Sequence, residues 1–172
     1  MLVEYVFKRI DKAGDMISDI GGITMNHNTG ELELHKKHYD EILEHFKNEP
    51  YAKFLGIQLT ELGPGTAAAE VEIKEHMLNT HGTVHGAVIF AIADYVFAAA
   101  CNSYGKTSVG LSTAVNFMAP AFQGHVLKAV ATEEKRNNRT SWYNIRIESE
   151  GELVATMEAL AYRKNQYFID VK

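Results

Sequence analysis

Apolar positions change their spacing three times along the chain. From 34 to 46, Leu34, Tyr39, Ile42, Leu43 and Phe46 recur at helical spacing with charged residues between them, and the pattern predicts a helix that Pro50 ends. Residues 54–62 then read as a strand, Gly63, Pro64 and Gly65 as a turn, and 66–73 as a second strand. In that second strand Ala67, Ala69, Val71 and Ile73 alternate with Ala68, Glu70 and Glu72, so the pair predicts a half-exposed hairpin. Residues 79–102 begin as a Gly- and His-rich loop and become a run in which Ala, Ile, Val and Phe fall on every side. A helix apolar all round is a buried one. After it the spacing of two returns over 109–118, 126–134, 142–149 and 153–163, with turns at Ala119 and Pro120, at Gln123 and Gly124, over 136–139, and at Glu150 and Gly151. The order is hairpin, long helix, four antiparallel strands, an α+β chain in which the sheet wraps the whole circumference of the helix.

The first 34 residues are broken by Gly14, by Gly21 and Gly22, and by Asn28, Thr29 and Gly30. Apolar residues from Leu2 to Ile10 fit a short strand or helix, and the stretch reads as a compact arm. We divide the chain into an arm with a short helix, 1–47, and a main domain, 48–172.

Composition narrows the function. The 172 residues are 46% hydrophobic and 23% charged, enough for one domain with a sizeable core. The net charge is −5 and no Lys/Arg run occurs, which argues against nucleic acid as the main partner. The central apolar run is too short and too charged to span a bilayer, and the N-terminus lacks the pattern of a signal peptide, so we expect a cytoplasmic protein. The single Cys101 reads as a small buried apolar residue. His35 and His38 have the spacing of a metal pair but no third ligand, and read as solvated residues of a helix face. The feature left to explain is Asp94, one charge in the apolar run, costly to bury unless it is paired or functional.

Asn79 followed six residues on by His85 and Gly86, with Ala93 and Asp94 further along, resembles the hotdog-fold thioesterases. More closely, the chain resembles the phenylacetic-acid-degradation-type (PaaI-like) branch of acyl-CoA thioesterases. Supporting pieces are Phe54-Leu55-Gly56-Ile57, Leu62-Gly63-Pro64-Gly65, Met77-Leu78-Asn79, Asn116-Phe117-Met118-Ala119-Pro120 and Gly151-Glu152-Leu153-Val154-Ala155. The likeness covers roughly 51–163. Two departures are Ala87, where the family usually has a second Gly, and His125, where an acid commonly follows the Gly. The arm has no counterpart. The resemblance implies a hotdog fold, a long buried central helix wrapped by an antiparallel sheet of five to six strands. It also implies an acyl-CoA substrate and homodimers paired into homotetramers.

Thioester hydrolysis needs a donor for the developing oxyanion and a group to deliver water or attack. The Gly86 N–H, at a helix N-terminus and unshielded by a Cβ, suits the first task. Asp94 suits the second, as base or nucleophile. Asn79 holds water or the carbonyl, or caps the loop. His85 orients the loop or the carbonyl, or is a structural loop residue. Ser112, by family position, sets the water beside Asp94, or is an ordinary strand serine. Gly86 and Asp94 are eight residues apart, about 12 Å along a helix axis, so one carbonyl cannot reach both on one helix. Antiparallel pairing with a second copy brings them together. Lys135, Arg136 and Arg139, in an exposed turn, are candidates for the CoA phosphates, with Lys128 and Arg163 behind them. Val88, Phe90, Tyr95, Phe97 and Met118 are candidates for the acyl pocket. We expect no metal and no redox cofactor, the CoA thioester being substrate. A hotdog hydratase or dehydratase pairing His85 with Asp94, and a non-catalytic acyl-CoA-binding protein, are the alternatives.

Overall fold

The computed structural model describes residues 26–171. The element expected between Leu2 and Ile10 lies outside them.

Two helices, α1 (Asn26–Lys37) and α2 (Tyr39–Lys47), replace the single helix expected over 34–46. The break falls at His38, and α1 runs straight through Asn28, Thr29 and Gly30, which read as a loop in sequence. A Gly inside a helix costs roughly 0.5–1 kcal/mol, which tertiary anchors can offset. Two such anchors sit on α1. Glu31 reaches the Arg163 guanidinium at 2.6 and 2.7 Å, and Nδ1 of the buried His35 donates to the Ser103 carbonyl at 2.7 Å. His35 is therefore a core residue, contrary to the solvated face expected of it. His38 pairs with Glu41 at 3.0 Å.

Pro50 does more than end α2. It is the first residue of α3 (Pro50–Leu55), where its missing N–H costs nothing and its fixed φ suits the helix. The Glu49 carboxylate caps this helix by accepting from the N–H groups of Tyr51 and Ala52. Phe54 and Leu55 are thus helical, and the first strand starts only at Gln58.

The hairpin is β1 (Gln58–Gly63) and β2 (Thr66–Glu72). Its turn demands Gly65, whose φ is +71° and whose Cβ would stand 2.7 Å from the Tyr104 hydroxyl. After the central helix, α4 (Gly86–Asn102), come β3 (Lys106–Phe117), β4 (Val126–Arg136), β5 (Thr140–Ser149) and β6 (Glu152–Tyr167). The six strands form one antiparallel sheet in the order β1-β2-β4-β5-β6-β3. The floor under α4 is rich in alanine: Ala67, Ala69, Ala129, Ala131, Ala155 and Ala161 are all buried. On the helix Ile92, Ala93, Val96, Ala99 and Ala100 are sealed against it. Ile42 and Phe46 of α2 join the same core.

The sheet does not enclose the whole helix. Ala87, Phe90 and Asp94 are exposed, and Gly86, Ala91 and Ala98 are half-buried, which makes one continuous stripe along α4. Beside it runs β3, hydrogen-bonded to β6 along one side and lying at the edge of the sheet. Leu111 and Phe117 on β3, and Met118 just after it, are each more than half exposed. The expectation of a helix buried over its whole circumference fails for the single chain, because six strands cover only part of the cylinder.

Candidate active site

The loop before α4 is tied from several directions. The Val84 N–H donates to the Ala121 carbonyl and that of His85 to the Met77 carbonyl, each at 2.8 Å. Within the loop, Asn79 Oδ1 accepts from the N–H groups of His81 (2.8 Å) and Thr83 (3.3 Å). Its Nδ2 donates to the Thr83 hydroxyl at 2.9 Å. Asn79 thus closes an Asx-type turn, the loop-capping alternative open at the sequence.

His85 is the N-cap of α4, its Nδ1 accepting from the Ala87 N–H at 3.0 Å. With Nδ1 engaged as an acceptor, Nε2 is the ring atom left to face other groups. The His85 carbonyl takes the Val88 N–H at 2.9 Å. The Gly86 N–H, at the first helical position, precedes every intrahelical bond and is the donor left over for an anion. The Phe117 ring lies against Gly86: a Cβ there would meet its Cζ at 3.2 Å. A larger residue there needs the ring to give by a few tenths of an ångström.

Asp94 stands two turns further along the same exposed stripe, with Phe90 between them. Its carboxyl is raised above the usual carboxylate range, first by the desolvating surroundings and then by the negative charge of Glu49. Glu49 escaped the sequence analysis; an acid just ahead of a Pro-opened helix was the available signal. Cys101, buried beneath, is no nucleophile, because burial pushes its thiol up to about 12.

Other candidates stand elsewhere. Strand register places Thr113, Val115 and Phe117 opposite Ala159, Met157 and Ala155, on the α4 side of the sheet. Ser112, opposite Leu160, is on the other face. It lines an outer groove of about 460 Å³ with Trp142 and Glu158. Of the proposed phosphate-binding cations, Lys135 and Arg136 are on β4 rather than in a turn. Arg136 lies over the Tyr104 ring at 3.7 Å and pairs with Glu31 at 3.0 Å and Glu133 at 3.6 Å. Arg163 is buried, paired with Glu31, and donates to the Asn137 carbonyl at 2.7 Å. These two arginines are internal ties, not an open anion site. Lys135, Lys128 and Arg139 are exposed, Arg139 donating to the Tyr162 hydroxyl at 2.8 Å. Val88, Tyr95 and Phe97 are core residues, which leaves Phe90 and Met118 as the exposed members of the expected acyl set. Among the described residues no group of three His, Cys, Asp or Glu side chains could hold a metal ion. No described helix is long and apolar enough to cross a membrane.

A long apolar helix riding on an alanine-rich, six-stranded antiparallel sheet is the architecture of the hotdog-fold thioester hydrolases. Comparison with known proteins agrees. Residues 81–156 match the thioesterase superfamily. The acyl-coenzyme A thioesterase PaaI of Escherichia coli is 35% identical over 59% of this chain and 73% of its own length. A putative esterase of Archaeoglobus fulgidus is 32% identical over 72% of this chain and 80% of its own. The solved E. coli PaaI protein of the phenylacetic acid degradation operon superposes with a TM-score of 0.74, at 30% identity, covering 78% of this chain and 98% of that one. The chain belongs to the thioesterase superfamily.

Proposed function

We propose that the chain hydrolyses acyl-CoA thioesters to CoA and the free carboxylic acid, at a site shared between two copies. The observation that carries this reading is the uncovered stripe of α4, with its leftover N–H at Gly86 and its raised acid at Asp94 on one line. They are eight residues apart, about 12 Å along the axis, and serve a single carbonyl only when a second copy pairs antiparallel across the stripe. The exposed apolar side chains of β3 support such pairing, because an edge strand this apolar needs a cover.

The thioester oxygen accepts from Gly86 of one copy. Asp94 of the other, acting as base, takes a proton from water while the water oxygen bonds to the carbonyl carbon. The C–S bond then breaks, and the CoA sulfur leaves with a proton. Acting as nucleophile instead, Asp94 forms an anhydride that water cleaves. In either form Asp94 must start ionised. Asn79 and His85 serve by fixing the loop and cap that present the Gly86 N–H. Of the candidate cations, exposed Lys128, Lys135 and Arg139 are left for the CoA phosphates, and the scheme invokes no metal or redox cofactor.

The test is free-thiol release from short, medium, long and aromatic acyl-CoAs by the wild type and by Asp94→Asn, with the oligomeric state followed by light scattering. Release that collapses in the variant, from a dimer or tetramer, is the expected result. Full turnover by Asp94→Asn, or by a monomer, refutes the mechanism.

A further inference from the structure

The reaction scheme leaves one neighbour of the Gly86 N–H without a task, the Phe117 ring. The backbone that carries it is fixed. Phe117 pairs with Ala155 of β6, and the next residue, Met118, donates its N–H to the Val154 carbonyl at 2.8 Å. The ring reaches the first residue of α4 tip first: a Cβ on Gly86 would meet Cζ at 3.2 Å, Cε1 at 3.4 Å and Cε2 at 3.8 Å. That Cβ position is two bonds from the Gly86 nitrogen, so the ring tip lies within about 6 Å of the donor. A carbonyl oxygen accepting from the donor sits at about 3 Å, with its α-carbon and its sulfur each two bonds further out. The ring tip and the two carbonyl substituents therefore share one shell around Gly86. The surroundings decide which substituent meets the ring. The sulfur leads on to a CoA chain whose phosphates need cations. Large apolar side chains stand exposed around this end of α4: Phe90 one turn along the stripe, Met118 beside Phe117, and Phe122 next to Ala121, whose carbonyl takes the Val84 N–H at 2.8 Å. Such a surface suits the hydrocarbon of the acyl group.

We propose that Phe117 is a specificity-determining residue: its ring tip is the wall beside the thioester carbonyl that favours acyl groups with an unbranched α-carbon over those branched there. This rests on the reading of Gly86 as the oxyanion donor in thioester hydrolysis. A methyl on the α-carbon adds bulk in the shell that the ring tip occupies, where even a Cβ on Gly86 already crowds it at 3.2 Å. A branch at the β-carbon stands one bond further from the donor and clears the wall. The ring is 58% exposed and can give by a few tenths of an ångström. The wall therefore sets a preference of about tenfold, the lower end of what one methyl is worth in a hydrophobic pocket, and no absolute bar.

The measurement is kcat/KM by thiol release for the straight-chain acyl-CoA that the wild type cleaves fastest and for its 2-methyl and 3-methyl derivatives. Each value is divided by the rate at which hydroxide alone hydrolyses the same thioester, which removes the intrinsic slowness of branched carbonyls. In the wild type the corrected value for the 2-methyl compound should fall about tenfold below the straight chain, and the 3-methyl compound should stay within about threefold of it. Phe117→Ala should raise the ratio of 2-methyl to straight chain by about fivefold or more. Phe117→Leu, which keeps an apolar side chain on the edge strand, should close part of the same gap. Light scattering checks that both variants hold the wild-type oligomer. The wild-type series needs no variant, so it decides the matter even if a variant fails to fold or assemble. Equal corrected values for the straight-chain and 2-methyl compounds overturn the proposal, as does an unchanged ratio in assembled Phe117→Ala. Failure to release thiol from any acyl-CoA, by contrast, sinks the underlying thioesterase reading and is told apart by the wild type alone.

Discussion

Gly86→Ala separates the donor's chemistry from its place in the fold. The added methyl points at the Phe117 ring, 3.2 Å from Cζ and 3.4 Å from Cε1, so the ring must give by a few tenths of an ångström. It can, because Phe117 is 58% exposed and stands at the end of an edge strand. Alanine in a helix gains at most about 0.5–1 kcal/mol over glycine, which roughly offsets that displacement. Net stability should stay within about 1 kcal/mol, a shift in Tm of no more than about 4 °C for a chain of this size. Turnover should behave differently. The methyl pushes the Phe117 ring that lies beside the N–H, and an oxyanion misplaced from its donor loses up to about 10²–10³ in kcat. Circular-dichroism melting and thiol release on the same preparation check both. A variant with kcat within threefold of wild type and an unchanged oligomer would refute the need for a bare Cα beside the Phe117 ring.

Asp94→Asn should raise Tm at neutral pH while lowering kcat by about two or more orders of magnitude. The sign follows from the raised carboxyl. An acid whose pKa is higher folded than unfolded penalises the fold wherever it is ionised, and the penalty vanishes once both states are protonated. The gain in Tm should therefore fade as the pH drops through the raised value toward 3.8, measured as paired melts. Ser112→Ala should leave kcat and KM within about threefold, since the side chain faces away from α4; a hundredfold loss in the thiol assay would contradict the register. Leu111→Lys, on the exposed edge strand, should shift light scattering toward monomer and abolish activity with it, whereas an active monomer would refute the shared site. Arg163→Ala strips a buried partner from Glu31 and should cost about 3 kcal/mol in urea unfolding.

The central helix and the meander were legible because each has a clean period: apolar on every side from 86 to 102, and two along β4 to β6. The helices before β1 were not, because what stabilises them is remote. Glu31 meets Arg163 across 132 residues of chain, and no local window signals that pairing. The same pairing turned Arg136 and Arg163, which read as free cations, into interior ones. Pro50 gave a helix end correctly but concealed a helix start, since proline serves both. Gly86 and Asp94 are singled out by chemical type together with the resemblance, and the structure sets both on the uncovered stripe of α4. Ser112 was assigned by resemblance against its own alternation, which already set it opposite the apolar run of Val115 and Phe117.

The alanine floor under α4 has a consequence for how such a site tolerates change. Methyl groups from Ala67, Ala69, Ala129, Ala131, Ala155 and Ala161 set the height at which the helix rides over the sheet. Bulk added to any of them lifts the helix as a rigid rod. The spacing of Gly86 from Asp94 is untouched by that lift, because both belong to the rod. In the proposed pairing, what moves is the distance of Gly86 and Asp94 from the facing copy, so substitutions deep in one subunit would be felt as misalignment across the pair.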